Sequence, residues 1–115
     1  MTPLRDRKCK ECAPGTPALD AEQARKLLSG LDKGWRITDD VKSLRRAFAF
    51  EDFHRTMAFV NALAWIAHTE DHHPDFEVGY NYCRVVFSTH SIGGLSENDF
   101  ICAAKIDALG PGTSG

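Results

Sequence analysis

Three of the five histidines in this chain lie in two short segments, His72-His73-Pro74 and Ser88-Thr89-His90. Histidine is the side chain whose unperturbed pKa, ~6.5, lets it both donate and accept a proton near neutral pH. Two or three imidazoles without an obvious nucleophile beside them indicate acid/base chemistry on a small molecule. The alternative is that an isolated His-His pair simply belongs to a polar surface.

The two segments fall where a predicted helix and a predicted strand end. His72 and His73 close a long helix, whose exposed terminal carbonyl groups favour a protonated imidazole. His90 follows a strand and precedes a loop, where functional side chains commonly project. If the strand lies beside the helix, the three rings converge, and one can donate a proton while another accepts one. Each such transfer typically contributes ~100- to 10,000-fold in rate.

A metal site is the main alternative for the same histidines. Residues four apart share one face of a helix, so His68 and His72 could bind zinc together. The zinc-protease pattern has glutamate directly after the first histidine, and Thr69 takes that place. A third imidazole from His73 or His90 could still complete a catalytic zinc site. We keep zinc binding as the alternative and expect a site with no metal.

The composition is that of one globular domain. The chain has 115 residues, of which 43% are apolar and 26% charged, and a formal net charge of -2. It has no basic stripe that would favour nucleic acid, and its longest apolar stretch, 57–67, is too short to span a membrane. No apolar segment of a signal peptide follows the charged N-terminus. We therefore expect a cytoplasmic protein without a membrane or nucleic-acid partner.

Hydrophobic periodicity and capping residues predict seven elements. They are a helix after the N-cap Asp20, strands at 35–38 and 44–50, a helix at 51–71, strands at 76–80 and 82–88, and a helix after the N-cap Ser96. The order α-β-β-α-β-β-α predicts an α+β two-layer sandwich, with a four-stranded antiparallel sheet and the helices on one face. Residues 1–18 are interpreted as an extended lead-in, 19–110 as a single domain and 111–115 as a C-terminal tail.

The four cysteines fall into two kinds. Cys9 and Cys12 form a CxxC pair, but no second pair lies at zinc-finger spacing. A loop rich in proline and glycine, 14–17, follows where a redox motif would begin a helix. We therefore predict that this pair is a reduced, non-catalytic part of the lead-in. Cys83 and Cys102 have apolar neighbours and are predicted to lie in the core.

Several short motifs together resemble one protein family. They are His72-His73-Pro74-Asp75-Phe76, Phe87-Ser88-Thr89-His90, Gly94-Leu95-Ser96-Glu97-Asn98-Asp99-Phe100 and Ala103-Ala104, together with Tyr80. The combination is similar to the pterin-4a-carbinolamine dehydratases over about residues 19–109. The Cys9-x-x-Cys12 lead-in is similar to that of bacterial members associated with phenylalanine hydroxylase.

The resemblance implies dehydration of 4a-hydroxytetrahydrobiopterin to quinonoid dihydropterin, with loss of water across C4a and N5 and no cofactor or metal. The implied catalytic residues, by position, are His72, His73 and His90. The implied substrate-binding residues are these three histidines with Pro74, Thr89, Ser91, Ile92 and Asp99. Asp99 either orients a histidine or serves only as a helix cap, and both roles stay open.

One position departs from the family pattern. His68 stands four residues before His72, where the family usually has a glutamate. Glu70 or Asp71 could supply the missing carboxylate only if the helix end turns suitably. The resemblance also implies a homodimer or homotetramer that recycles pterin for an aromatic amino acid hydroxylase. The alternatives to this enzyme are a zinc-binding histidine cluster and a non-catalytic dimerisation or partner-binding module.

Overall fold

The computed structural model describes residues 2–110, which contain three α-helices, four strands and two short 3-10 helices, Leu4–Asp6 and His90–Ile92. The helices are α1 (Ala21–Leu28), α2 (Phe53–Glu70) and α3 (Glu97–Asp107), and the strands are β1 (Arg36–Ile37), β2 (Leu44–Ala49), β3 (Asp75–Val78) and β4 (Tyr82–Phe87). All strand pairs are antiparallel, in the order β1-β2-β4-β3. The predicted α+β sandwich and its element order are confirmed. The predicted tail, 111–115, lies outside the described residues.

Strands β2 and β4 form the centre of the sheet and supply its buried side chains. Leu44 lies opposite Phe87, and Phe48 lies opposite Cys83. These four side chains are at most 1% exposed, whereas Arg45 on the other face of β2 is exposed. One face of the sheet therefore carries the core, as alternation along antiparallel strands requires. The three helices supply the other layer, and none within residues 2–110 is long and apolar enough to cross a membrane.

Helix α2 begins and ends at local signals. The Asp52 carboxylate accepts the backbone N–H of Arg55 at 2.8 Å and so caps the first turn. At the other end Asp71 is left-handed, with φ 51° and ψ 45°, and the His72 N–H donates to a carbonyl of the last turn at 3.1 Å. This closing turn ends the helix before His72. The prediction that His68 and His72 share one helix face is therefore wrong.

The first turn of α2 differs from its predicted packing. Helical spacing places Phe53 in the buried stripe, but this side chain is 51% exposed. It stacks instead on Tyr80, with ring centroids 6.4 Å apart. Thr56 takes the buried position, and its hydroxyl hydrogen-bonds to the Tyr80 carbonyl at 2.9 Å. The first turn of α2 thus anchors the β3–β4 turn and contributes little to the core.

A charged side chain lies on the buried side of β2. Arg46 is 6% exposed, and its guanidinium donates to Asp107, the last residue of α3, at 2.7 Å. A second guanidinium nitrogen lies 3.5 Å from a carboxylate oxygen of Asp32, and the group covers the Phe48 ring at 4.4 Å from its centroid. A buried charge is stable only when it is paired, so these contacts join the sheet to the end of α3.

Replacing Arg46 with Met should lower the free energy of unfolding by roughly 3 kcal/mol, because Asp107 loses its charged partner. Arg45→Met is the matched control, since Arg45 is the exposed neighbour on the opposite face, and it should change stability by less than about 0.5 kcal/mol. Urea denaturation followed by circular dichroism measures both values. An equal fall in the free energy of unfolding of the two variants would show that the buried ion pair does not stabilise the fold more than an exposed arginine does.

Candidate active site

The carboxylate of Asp99 lies at the centre of a hydrogen-bond network that joins three parts of the fold. Asp99 is in the first turn of α3 and is 0% exposed. Its Oδ2 atom accepts the Ser96 N–H at 3.0 Å and the Thr89 hydroxyl at 2.9 Å. Its Oδ1 atom lies 2.6 Å from Nε2 of His72. Asp99 therefore caps α3 and also holds a histidine, so both roles left open by the sequence apply.

Local structure delivers each partner of Asp99 to this point. The left-handed turn at Asp71 ends α2 and releases His72 from the helix. Thr89 follows β4, and its N–H donates to the Gly94 carbonyl at 2.8 Å, which closes the loop between β4 and α3. Ser96 is the N-cap of α3, and its hydroxyl lies 2.7 Å from that of Thr89. The network therefore joins the end of α2, the end of β4 and the start of α3.

The His72 ring is held at one edge and on one face. Its side chain is 12% exposed, and the ring stacks on Phe87 with centroids 6.0 Å apart and planes within 7°. An ionised carboxylate only accepts hydrogen bonds, so Nε2 is the donor to Asp99. In the neutral ring, Nδ1 is then the basic nitrogen, and it makes no hydrogen bond within residues 2–110. Nδ1 is the atom that can exchange a proton with a small molecule.

The two other predicted catalytic histidines lie beside the network but outside it. His73 directly follows His72, and His90 directly follows Thr89. Both are exposed, and neither side chain makes a hydrogen bond or ion pair with residues 2–110. Each is therefore fixed through its backbone neighbour, while its imidazole is free to bind a ligand.

The remaining predicted binding residues border the same region. Pro74 is buried and Ile92 half-buried. The Ser91 hydroxyl donates to the carbonyl of Cys12 at 3.0 Å, so this side chain contacts the N-terminal segment. Of the sequence-predicted site residues, the hydrogen-bond network includes His72, Thr89 and Asp99.

The carboxylate that supports His72 is neither Glu70 nor Asp71, the two candidates at the end of α2. Glu70 is 9% exposed, but its Oε1 atom accepts the Cys9 N–H at 2.8 Å and its Oε2 atom lies 3.8 Å from Nζ of Lys105. It therefore faces the N-terminal segment and α3. The supporting carboxylate is Asp99, 27 residues after His72. The family resemblance gave this role as one of two for Asp99, whereas helix and strand spacing carries no sign of the pairing.

The histidine pair of the zinc alternative is separated in the structure. His68 is exposed on α2, where its ring lies 5.8 Å from that of Trp65. His72 lies beyond the helix end and faces Asp99. No group of three His, Cys, Asp or Glu side chains in the described range 2–110 is arranged to hold a metal ion.

Phe87 and Ser96 were not among the predicted site residues, yet both touch the site. Phe87 supports the His72 ring, and Ser96 supplies an N–H to Asp99. The alternation of side chains along a strand could have indicated the role of Phe87, because residues 87 and 89 point to the same side of the sheet. No local pattern indicates that Phe87 meets His72, which lies in another part of the fold.

Comparison with known sequences identifies one family. A sequence profile of the family described as Pterin 4 alpha carbinolamine dehydratase matches residues 17–109. A relative from Nitrosomonas europaea that carries this family name is 58% identical over 106 residues, which are 92% of this chain and 92% of the relative. A relative from Legionella pneumophila (strain Corby) with the same family name is 56% identical over 106 residues, covering 92% of this chain and 94% of the relative.

Comparison with solved structures agrees with the sequence match. The crystal structure of a transcriptional coactivator/pterin dehydratase from Brucella melitensis matches with a TM-score of 0.75 and 34% identity, covering 80% of this chain and 97% of the other. A pterin dehydratase-like protein described as a RuBisCO assembly factor in the alpha-carboxysome matches with a TM-score of 0.59 and 28% identity, covering 70% and 93%.

The fold is an α+β domain, and its site is a histidine–carboxylate pair. The pair lies where α2 and β4 end and α3 begins. The profile match and the two sequence relatives cover nearly the whole domain. The chain belongs to the pterin-4a-carbinolamine dehydratase family, a family of hydro-lyases, which confirms the resemblance seen in its motifs.

Replacing Asp99 with Asn should move the proton of neutral His72 from Nε2 to Nδ1. The Asn oxygen should stay on the Ser96 N–H, because the opposite orientation would set two donors against each other. The amide NH2 then faces Nε2, which must accept. Long-range 1H–15N NMR of the imidazole nitrogens measures the tautomer, with exposed His68 as the internal control. A native Nδ1–H tautomer, or the same tautomer in both proteins, would contradict the assignment.

Proposed function

We propose that this protein dehydrates 4a-hydroxytetrahydrobiopterin to quinonoid dihydropterin by histidine acid/base catalysis. The 4a-hydroxyl leaves C4a, the proton leaves N5, and water and a C4a=N5 double bond form. One group must protonate the departing oxygen, and another must accept the N5 proton. The observation that carries the proposal is the 2.6 Å pairing of His72 with buried Asp99. Exposed His73 directly follows His72, and exposed His90 directly follows Thr89, which also binds Asp99. Family membership supports the choice of a pterin carbinolamine as substrate.

In this proposal His72 transfers its proton through Nδ1. When Nδ1 gains a proton, the ring becomes an imidazolium, and the Asp99 carboxylate at Nε2 stabilises that charge. Contact with Phe87 and the burial of Asp99 fix the ring before substrate binds. The orientation of Nδ1 then needs no reorganisation during the reaction, which is how a preorganised group lowers a barrier.

His73 and His90 supply the second proton carrier. Their side chains are exposed and make no hydrogen bond within residues 2–110, so either ring can turn towards a bound pterin. A pair of imidazoles in opposite protonation states can protonate the hydroxyl and deprotonate N5 in one turnover. The proposed binding contacts in addition to these histidines are Pro74, Thr89, Ser91, Ile92 and Asp99. The chemistry requires neither a metal nor an organic cofactor.

We further propose that the protein acts in the cytoplasm together with an aromatic amino acid hydroxylase, because such a hydroxylase releases the carbinolamine. We also infer a homodimer or homotetramer. All four residues of the edge strand β3 are exposed, and apolar side chains at the surface include Trp65 (66% exposed), Tyr80 (65%) and Phe76 (42%). An uncovered edge strand beside apolar side chains favours contact with a second copy.

A non-catalytic partner-binding module remains the rival class. The two similar structures are those of a transcriptional coactivator/pterin dehydratase and of a RuBisCO assembly factor. A surface that only binds a partner does not need an imidazole whose Nε2 atom is held by a fully buried carboxylate. The arrangement around His72 therefore favours the enzyme, and the activity measurements below separate the two classes.

His72→Ala, His73→Ala and His90→Ala should each lower kcat by ~100- to 10,000-fold, since every positioned proton carrier contributes in this range. His68→Ala is the matched control, because His68 is also an exposed imidazole but lies on the outer face of α2. The measurement is the decay of carbinolamine produced by a hydroxylase, with folding checked by circular dichroism. If His68→Ala were the most damaging of the four, the assignment of roles would be wrong. Full activity in all three site variants would contradict histidine catalysis, and native protein without dehydratase activity would favour the partner module.

Dehydration should proceed at the same rate with and without EDTA. The reason is that the proposed proton carriers are imidazoles, and His72 already uses Nε2 to bind Asp99. The test compares native protein before and after chelation and then after added zinc. Activity that is lost on chelation and restored by zinc would favour the zinc alternative over imidazole catalysis.

A further inference from the structure

The N-terminal segment, residues 8–12, is fastened to the two helices that flank the site. The Asn98 side chain binds the backbone of Lys10 on both sides, with Oδ1 accepting the N–H at 2.9 Å and Nδ2 donating to the carbonyl at 2.6 Å. The Cys9 N–H donates to Glu70 at 2.8 Å. The Ser91 hydroxyl donates a 3.0 Å hydrogen bond to the carbonyl of Cys12, the last residue of the segment. The CxxC motif therefore occupies a defined site on the folded domain.

These contacts bring one thiol of the motif against a thiol of the core. Sγ of Cys9 lies 3.6 Å from Sγ of Cys102, which is van der Waals contact between sulfur atoms. Cys102 is 0% exposed on α3, while Cys9 is half-buried. Sγ of Cys12 has other partners, the Asn98 amide at 3.5 Å and the Lys10 carbonyl at 3.8 Å. The close contact between sulfur atoms is therefore between Cys9 and Cys102, and Cys12, the other cysteine of the CxxC motif, takes no part in it.

We propose that Cys9 and Cys102 form a reversible disulfide that locks the N-terminal segment onto α3 under oxidising conditions. The sulfur atoms must approach from 3.6 Å to the ~2.05 Å of a disulfide bond. Cys9 lies outside helices and strands, so its backbone can shift by the distance that the bond needs more readily than the backbone of Cys102, which is held in α3. This site is distinct from the histidine site and needs no pterin.

The oxidant is a peroxide or a small-molecule disulfide. With hydrogen peroxide, the Cys9 thiolate attacks one oxygen, the O–O bond breaks, and a sulfenic acid and hydroxide form. The Cys102 sulfur then attacks the Cys9 sulfur as its thiol proton passes to the departing hydroxyl, so that the S–O bond breaks and the first water leaves. The hydroxide from the first step takes the proton that Cys9 lost on ionisation and forms the second water. Two thiols lose two electrons in total, and one peroxide is reduced to two waters.

The two thiols play different parts in this reaction. The hydrogen bond to Cys9, followed by burial, raises the pKa of the Cys102 thiol, so Cys102 remains protonated and shielded from the oxidant. Cys9 is the more accessible sulfur and reacts first. Cys102 acts only after Cys9 is activated, because its sulfur is already in contact. A low-exposure second thiol of this kind converts the first oxidation product to a disulfide before it is oxidised further.

The test treats the full-length folded protein with hydrogen peroxide or oxidised glutathione and maps cross-linked peptides without reduction. The native protein and Cys12→Ser should give the Cys9–Cys102 cross-link, and Cys9→Ser should not. The cross-link closes a loop of more than 90 residues and should raise the melting temperature by at least about 5 °C, with reversal by dithiothreitol. Trypsin cleavage at Lys8 and Lys10 should also slow on oxidation.

Three results would overturn the proposal. One is a Cys9–Cys12 disulfide as the main product in protein that stays folded. Another is Cys9 in the sulfinic form while Cys102 remains a free thiol. The third is an equal rise in melting temperature for Cys9→Ser and the native protein. Cys12→Ser serves as the matched control because it removes a thiol from the same segment and leaves the proposed pair intact.

Discussion

The fully buried carboxylate of Asp99 is the constraint on which the site depends. An ionised carboxylate without solvent is costly unless hydrogen-bond donors surround it. Its donors come from three places, namely His72 after α2, Thr89 after β4 and Ser96 before α3. These three chain segments must meet at one point for the charge to be tolerated. The bonds that stabilise the fold here are therefore the same bonds that orient the imidazole.

This arrangement explains why the reactive side chains lie at ends of elements. Asp71 stops α2 in a left-handed turn, so His72 can leave the helix and face Asp99. His73 and His90 come one residue after members of the network, where they are exposed to solvent. The hydrogen-bond network thus holds the imidazole of His72. The imidazoles of His73 and His90 are carried by residues that directly follow members of the network.

The sequence was sufficient where the signals are local. The caps at Asp20 and Ser96, the alternation in β4 and the order of elements were all read correctly because capping and periodicity act over a few residues. Burial of Cys83 and Cys102 followed from their apolar neighbours.

The errors and gaps come from non-local contacts. Phe53 fits the helical stripe, but the core does not extend to the first turn of α2, so it stacks on Tyr80. A non-glycine residue in the left-handed region, Asp71, separates two histidines that the spacing had placed on one face. The partner of His72 is a carboxylate 27 residues away, and no local pattern records that pairing.

The central claim is that Asp99 enables His72 to move a proton during dehydration. The most direct measurement compares kcat and KM of native protein and Asp99→Asn for the 4a-carbinolamine, under conditions where both are folded. Asn keeps the size of the side chain and an acceptor for the Ser96 N–H but removes the charge. We predict that kcat falls by ~100-fold or more with little change in KM. A folded Asp99→Asn variant with the native kcat would contradict the account.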